Sequence, residues 1–402
     1  MMLPLHTRAS VHGLSGRAIL KVLDPTEAAF TDLDRADCLL WLDGSSDLAI
    51  NQVDGWAGVI STKKLAKQHA RGIVIDEITN PRVIAPGDVI RATEGSAKVS
   101  VIYRRGSNSN TLFATENCNS FCLMCSQPPR DVDDRWLVDE MLATISLVDK
   151  NETQLGISGG EPTLLGDDLL VVLHHAMNRL PNTGLHILSN GRKFSEEPFA
   201  HAMCAVHHPG VEWGIPVYSA SPEIHDYIVQ ARGAWDETLA GLYNLARHGA
   251  PIEIRVVVQK ANMGHLGELA YFIFRNLSFV KHVAFMGLEP IGFARSNYDA
   301  VWADPADYAE ELQDAVFYLA NRGLNVSAYN VPLCTMPVTM WPFCRKSISD
   351  WKNIYEPECG QCDARGKCGG FFASLGKNWK SRAIAPIQNR PEKSHPNFGG
   401  SS

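Results

Sequence analysis

Hydrophobic and polar positions follow two different rhythms along the 402 residues of this chain. Up to about residue 108 the apolar runs are short, at 18–22, 38–42, 72–76, 89–92 and 97–103, and Gly, Pro and Asp separate them. That pattern predicts a small, mostly β domain. Pro86-Gly87-Asp88 ahead of Val89-Ile90 reads as a turn feeding a strand, and the polar stretch 104–110 reads as a linker. From residue 111 onward, strand-like runs at 111–115, 154–158, 185–188, 211–217, 252–258 and 282–285 alternate with helical patterns. Leu169, Val172, Leu173, Ala176 and Leu180 recur on one helix face. Tyr308, Leu312, Val316, Leu319 and Ala320 do the same behind Asp304-Pro305, an N-cap with proline at the first helical position. Six β–α repeats in about 180 residues predict an α/β fold with a parallel sheet and right-handed crossovers. The expected domains are 1–108, β-rich; 109–330, α/β; and 331–402, a Cys-rich extension and tail.

Composition adds exclusions rather than chemistry. A hydrophobic content of 45% and a charged content of 20% are those of an ordinary globular protein. A net charge of −7 and a pI near 6.1 give no reason to expect nucleic acid as a partner. The short basic stretch from Lys63-Lys64 to Arg71 reads as solvated surface. The opening residues lack the long apolar run of a secretory signal, and the sequence has no apolar run of about 18 residues that would span a membrane. Ten cysteines in that context favour reduced thiols and metal ligation over disulfides, so a cytoplasmic location is expected. Cys38, inside an apolar run, reads as core packing.

The remaining cysteines carry the chemistry. Cys118, Cys122 and Cys125 follow the first strand of the α/β region with spacing C-x3-C-x2-C. A closed structural metal site usually takes four protein ligands, so three imply a centre with one open position; a zinc knuckle that borrows a fourth ligand is the alternative. Gly159-Gly160-Glu161-Pro162 follows the next strand, where two glycines permit close backbone approach and a carboxylate can accept from an ammonium. Near the C-terminus Cys359, Cys362 and Cys368 have spacing C-x2-C-x5-C, with Cys334 and Cys344 upstream. Four thiolates there suit an iron–sulfur cluster or zinc. Cys334, read as closing a strand, is the preferred fourth ligand and Cys344 the alternative. His201, Cys204, His207 and His208 have metal-like residue types, but their spacing equally suits one face of an ordinary helix.

C-x3-C-x2-C followed by Gly-Gly-Glu-Pro resembles the signature of the radical S-adenosylmethionine (SAM) enzymes. The resemblance implies a partial (β/α)6 TIM barrel, a 4Fe-4S cluster on Cys118, Cys122 and Cys125, and SAM bound to the open iron and cleaved to a 5′-deoxyadenosyl radical. It further implies SAM contacts from Gly159, Gly160 and Glu161, with Met124 in the place of an aromatic residue that packs on the adenine. Asn190, in Leu188-Ser189-Asn190-Gly191, resembles the family's T-N-G segment. Ser219, in Tyr218–Ser221, is the candidate ribose contact, although the usual acidic residue is absent. Arg255 either reaches the SAM carboxylate bidentately or is paired in the barrel wall. The C-terminal cysteines resemble the SPASM/twitch extension, but Phe372 stands where the full pattern has a further cysteine. This departure implies one auxiliary 4Fe-4S cluster, with zinc as the alternative.

Longer stretches resemble the maturase of His-Xaa-Ser peptide systems, the HxsC type: residues 110–134, Gly159 to Gly166, Phe285-Met286-Gly287-Leu288-Glu289 and 347–353. This implies a His-Xaa-Ser repeat precursor peptide or protein as substrate. It also implies a second radical SAM maturase of the same system and an electron donor such as flavodoxin or ferredoxin as partners. A radical SAM enzyme acting on a small molecule or RNA, and a non-enzymatic zinc-binding scaffold protein, are the other readings. The sequence assigns no catalytic acid or base, and the N-terminal domain either braces the core or binds a partner.

Overall fold

The short apolar runs of the first hundred residues close into one eight-stranded sheet in the computed structural model, which describes residues 5–29, 31–42, 55–65, 72–347 and 353–388. Its strands are β1 (His6–Arg8), β2 (Ser10–His12), β3 (Arg17–Leu23), β4 (Cys38–Leu42), β5 (Gly58–Ser61), β6 (Ile73–Asp76), β7 (Val89–Thr93) and β8 (Lys98–Tyr103), and a short helix, α1 (Pro25–Ala28), follows β3. The order is β1-β8-β7-β3-β4-β5-β6-β2. The centre, β3 to β6, is parallel, while β1, β8, β7 and β2 join antiparallel. Val22, Leu39, Ile60, Ile75 and Ile90 form its core with no exposed surface. Cys38 packs with Leu23, Leu40 and Val59, which matches its reading as core. Lys63 and Lys64 are exposed; the rest of the basic stretch, 66–71, lies outside the described residues. Residues 104–110 are not a slack linker. Asn110 closes them into a turn, accepting from the Arg104 N–H at 2.8 Å and donating to the carbonyls of Arg104 and Ser107.

The α/β region follows, with β9 (Thr111–Phe113), α2 (Trp136–Leu147), β10 (Gln154–Ser158), α3 (Asp167–Arg179), β11 (Gly184–Leu188), α4 (Glu197–Cys204), β12 (Val211–Pro216), α5 (Pro222–Val229) and α6 (Ala234–Arg247). It continues through β13 (Ile252–Val258), α7 (Leu266–Asn276), β14 (His282–Gly287), α8 (Phe293–Ser296), α9 (Tyr298–Val301), α10 (Pro305–Ala320), β15 (Val326–Tyr329) and β16 (Cys344–Arg345). Strands β9 to β12 pair in parallel, and so do β14 to β16, as expected of a partial TIM barrel. The apolar face foreseen at Leu169, Val172, Leu173 and Ala176 is the buried face of α3. Asp304 caps α10, its side chain accepting from the Ala306 N–H. Strand β9 stops at Phe113, short of Thr115, because the Thr115 side chain turns to Asp134. Cys334 closes no strand. It lies in a 3-10 turn, Leu333–Thr335, preceded by Pro332 and separate from β15; prolines at 332 and 337 withhold the N–H groups that a ladder needs. Among the described residues no helix is long and apolar enough to cross a membrane.

The chain divides into two units, residues 1–121, 127–216 and 229–254 in one and 122–126, 217–228 and 255–402 in the other. In the first, a charged network joins the N-terminal sheet to the early α/β elements. Lys21, 1% exposed, donates to Asp149 at 2.9 Å. Arg105 binds the same carboxylate at 2.7 Å, Arg91 grips Glu140 through both oxygens, and the Arg17 guanidinium sits 3.5 Å over the Trp136 ring.

Candidate active site and cysteine centres

Within the first unit, the segment leading to Cys118 is locked from three sides. From β10, the Gly160 N–H donates to the Thr115 carbonyl at 2.6 Å and the Glu161 N–H to the Asn117 carbonyl at 2.8 Å. From below, the buried Asp134 carboxylate accepts from Thr115 Oγ1, the Glu116 N–H and Asn117 Nδ2. From the end of β11, Asn190 Nδ2 donates to Asn119 Oδ1 at 2.6 Å, and Arg192 donates to the Asn119 carbonyl and to Ser120 Oγ. The two glycines are therefore needed by the protein itself. A Cβ on Gly160 would lie 2.0 Å from the Asn117 carbonyl oxygen, and one on Gly159 2.5 Å from that of Thr115.

Glu161 is buried, and its Oε1 accepts from the Thr163 N–H, Thr163 Oγ1 and Ser189 Oγ, while Oε2 accepts from the Asn190 N–H at 2.6 Å. Burial pushes its carboxyl above the usual range, against the pull of these hydrogen bonds. Oε2 keeps a lone-pair position, so a cationic ammonium fits the site and would offset the burial. The sequence pointed to Glu161 and Asn190. It missed Asp134, Ser189 and Arg192, whose roles arise from partners far away in the chain.

The second unit holds Cys122 and Cys125. The Cys125 carbonyl accepts from the Phe293 N–H at 2.8 Å, and the Leu123 carbonyl accepts from Asn297 Nδ2 at 2.9 Å. Gly292, at φ 59°, is required here, since a Cβ would lie 2.3 Å from the Cys125 oxygen. Met124 is buried, with its Sδ 3.5 Å from Nε2 of Gln259. Gln259 has no exposed surface, and its Oε1 has no hydrogen-bond partner. That orphaned acceptor beside an apolar thioether fits an adenine with its exocyclic amine, and the sequence reading missed it. Ser219 is buried and accepts from the Ser221 N–H. Arg255 donates toward Met286 Sδ at 3.2 Å.

The C-terminal cysteines, also in the second unit, gather about Cys368. Backbone N–H groups of Leu333 and Gly370 both donate to Cys368 Sγ at 3.4 Å, and that of Ile387 donates to Cys362 Sγ at 3.4 Å. Such donors suit thiolates. Leu333, Ala364, Trp341, Tyr355 and Ile387 form an apolar wall around Cys362 and Cys368. Burial raises the Cys334 thiol, and the charges of Cys368 and Cys359 raise it further. Cys344 is pushed up to about 11 by burial and then by Cys368. Cys334 thus feels two of its companions and Cys344 one.

The quartet of His201, Cys204, His207 and His208 has no common centre. His208 is buried and tied to the backbone at Leu180 and Gly210, and His201 lies instead with Glu197 and His248.

One expected result follows from the clamp on Cys118. Gly160→Ala should lower stability by about 1–3 kcal/mol, the usual cost of overpacking, and should reduce iron at the first cysteine group. Gly267→Ala, where a Cβ meets nothing within 4 Å, is the neutral control. Thermal melts and iron assays on both variants check this.

Residues 112–273 match the model described as the radical SAM superfamily. Among solved structures, the chain is similar to SuiB of Streptococcus suis bound to S-adenosylmethionine, at 15% identity and a TM-score of 0.45, over 57% of this chain and 51% of that one. It is also similar to anSMEcpe with bound AdoMet, at 18% identity and a TM-score of 0.43, over 54% and 62% of the two chains. A third is a radical SAM methyltransferase from Sphaerobacter thermophilus, at 13% identity and a TM-score of 0.42, over 60% and 72%. The chain spans about half the length of SuiB. No curated protein matches it. Residues 112–273, with the cysteine triplet and the Gly-Gly-Glu turn inside them, are a radical SAM domain.

Proposed function

We propose that this enzyme is a peptide maturase acting on a ribosomally made peptide or protein with His-Xaa-Ser repeats. One observation carries the reading: a radical SAM domain is followed in the same chain by a second set of thiols drawn around Cys368, with backbone N–H groups aimed at the sulfurs. The residue-level resemblance to the HxsC type supports the substrate. In this reading Cys118, Cys122 and Cys125 hold the first 4Fe-4S cluster. Glu161 takes the SAM ammonium, Gly159 and Gly160 let the backbone close in, and Met124 lies against the adenine. Asn190, Ser219 and Arg255 complete the surroundings, and Gln259 joins them. When bound, the cluster and SAM supply a 5′-deoxyadenosyl radical that takes one hydrogen atom from a substrate carbon.

Cys334, Cys359, Cys362 and Cys368 would hold the auxiliary 4Fe-4S cluster, with Cys344, which packs with Cys362 and Cys368, as the alternative fourth ligand. Such a cluster would supply an acceptor for the one electron left on the substrate after hydrogen-atom loss, with a proton going to solvent, for a net loss of two hydrogen atoms. A flavodoxin or ferredoxin would deliver the electron for SAM cleavage, in the cytoplasm, beside a second radical SAM maturase. The test is anaerobic: reconstituted enzyme, SAM, reductant and a His-Xaa-Ser repeat peptide. The expected result is 5′-deoxyadenosine formation stimulated by the peptide, with the peptide lighter by two hydrogens. SAM cleavage indifferent to the peptide, and a peptide of unchanged mass, would overturn the maturase reading and leave a small molecule or RNA as the substrate.

A further inference from the structure

Among the described residues, two groups of side chains outside the cysteine centres place three metal-ligating atoms within 4.8 Å of one another: Glu197, His201 and His248, largely exposed, and His186, Glu212 and Glu253, partly to fully buried. The second group is built by the sheet. Trp213 packs edge-on against Phe194, with ring centroids 4.7 Å apart, so Trp213 faces the helical side of β12. Alternation along the strand turns Glu212 to the opposite side. His186 on β11 pairs directly with Glu212 and shares that side. Glu253 comes from the start of β13, beyond β12. Strands β11 and β13 are separated by two strand spacings, roughly 9.6 Å, yet His186 Nε2 lies 3.4 Å from Glu253 Oε1. The three residues therefore share the face opposite the helices, the inner, concave face of the partial barrel.

Two details point to a ligand. His186 Nε2 is buried and makes no hydrogen bond, even with a carboxylate oxygen at 3.4 Å, so this pair has the separation of an interaction without its alignment. Ligands about 2.1 Å from a zinc-like ion lie roughly 3.0–3.4 Å apart, the same separation. One imidazole and two carboxylates are also a donor set for zinc, manganese or ferrous iron. Of the two carboxylates, Glu253 has a side chain only 10% exposed.

We propose that His186, Glu212 and Glu253 form a binding site for one divalent transition-metal ion on the concave face of the sheet, separate from both cysteine groups. Three protein ligands leave at least one coordination position for water or a substrate oxygen.

The test titrates Mn(II) into anaerobically reconstituted enzyme and follows the free-Mn(II) EPR signal; it needs neither SAM nor peptide. The expected result is one Mn(II) bound per chain and displaced by Zn(II). Binding should weaken at least about tenfold in His186→Gln and in Glu253→Gln, since even outer-shell losses cost roughly 10–100-fold, and should persist in His201→Gln. Iron content and melting temperature report whether each variant has folded. Crystals of the wild type soaked in Mn(II) give a readout that needs no variant: an anomalous peak among the three side chains is expected. No binding up to about millimolar Mn(II) or Zn(II), binding that follows His201→Gln, or a peak elsewhere would each overturn the proposal.

Discussion

The Cys118/Cys122/Cys125→Ala variant, reconstituted anaerobically, should carry about four irons per chain against roughly eight in the wild type, and should cleave no SAM. The outcome depends on which thiols can serve as substitutes. Cys38 is enclosed in the N-terminal sheet, where burial, aided by the charge of Asp37, pushes its thiol up to about 12. Cys204 is pushed up to about 11 by burial. Both stand alone in the sequence, away from either cysteine group. The remaining five cysteines belong to the C-terminal set. Complementary substitution of Cys359, Cys362 and Cys368 should therefore remove the other four irons and spare SAM cleavage without peptide. Iron and sulfide assays with 5′-deoxyadenosine detection settle both halves. A wild type that takes up zinc and little iron would remove the radical mechanism altogether.

What could be read from the sequence was what is local. The spacing of Cys118, Cys122 and Cys125, the turn after β10 and the apolar face of α3 each lie within a few residues, so periodicity and motif were enough. Strands β10 and β13 run over the residues that the pattern marked. Partnerships across the chain were not legible. Two of the four donors on Glu161 come from Ser189 and Asn190, some 28 and 29 residues on. Asp134 stood only within a stretch of family resemblance, with no sign that Thr115, Glu116 and Asn117 bond to it. His186, Glu212 and Glu253 sit on three strands, one residue from each, and only curvature brings them together. The N-terminal runs announced strands but not direction: β-rich punctuation is the same for hairpins as for the parallel core that β3 to β6 form. Cys334 was misplaced because an apolar run beside proline resembles a strand end.

Asp149→Ala should cost about 3–5 kcal/mol, the range for removing one partner of a buried ion pair. Lys21 is the reason. With 1% of its side chain exposed, its ammonium cannot turn to water when the carboxylate is gone. Arg105 loses two hydrogen bonds to the same carboxylate and keeps Glu27, so it contributes less to the loss. Lys21→Met should be milder, because it leaves Asp149 to Arg105, and adding it to Asp149→Ala should recover much of the stability. A cycle of these variants in urea measures the coupling. The pH dependence has a fixed sign. Burial raises the Asp149 carboxyl, but its bonds to Arg105 and Lys21 outweigh that and hold it below the usual carboxylate range. Its contribution is therefore complete above the ordinary carboxylate pKa, near 4, and is lost as pH falls through the depressed value. In Asp149→Ala that part of the acid sensitivity should vanish. If the single and double variants were equally unstable, the network would be a surface feature, and Lys21 would not hold the N-terminal sheet to the early α/β elements.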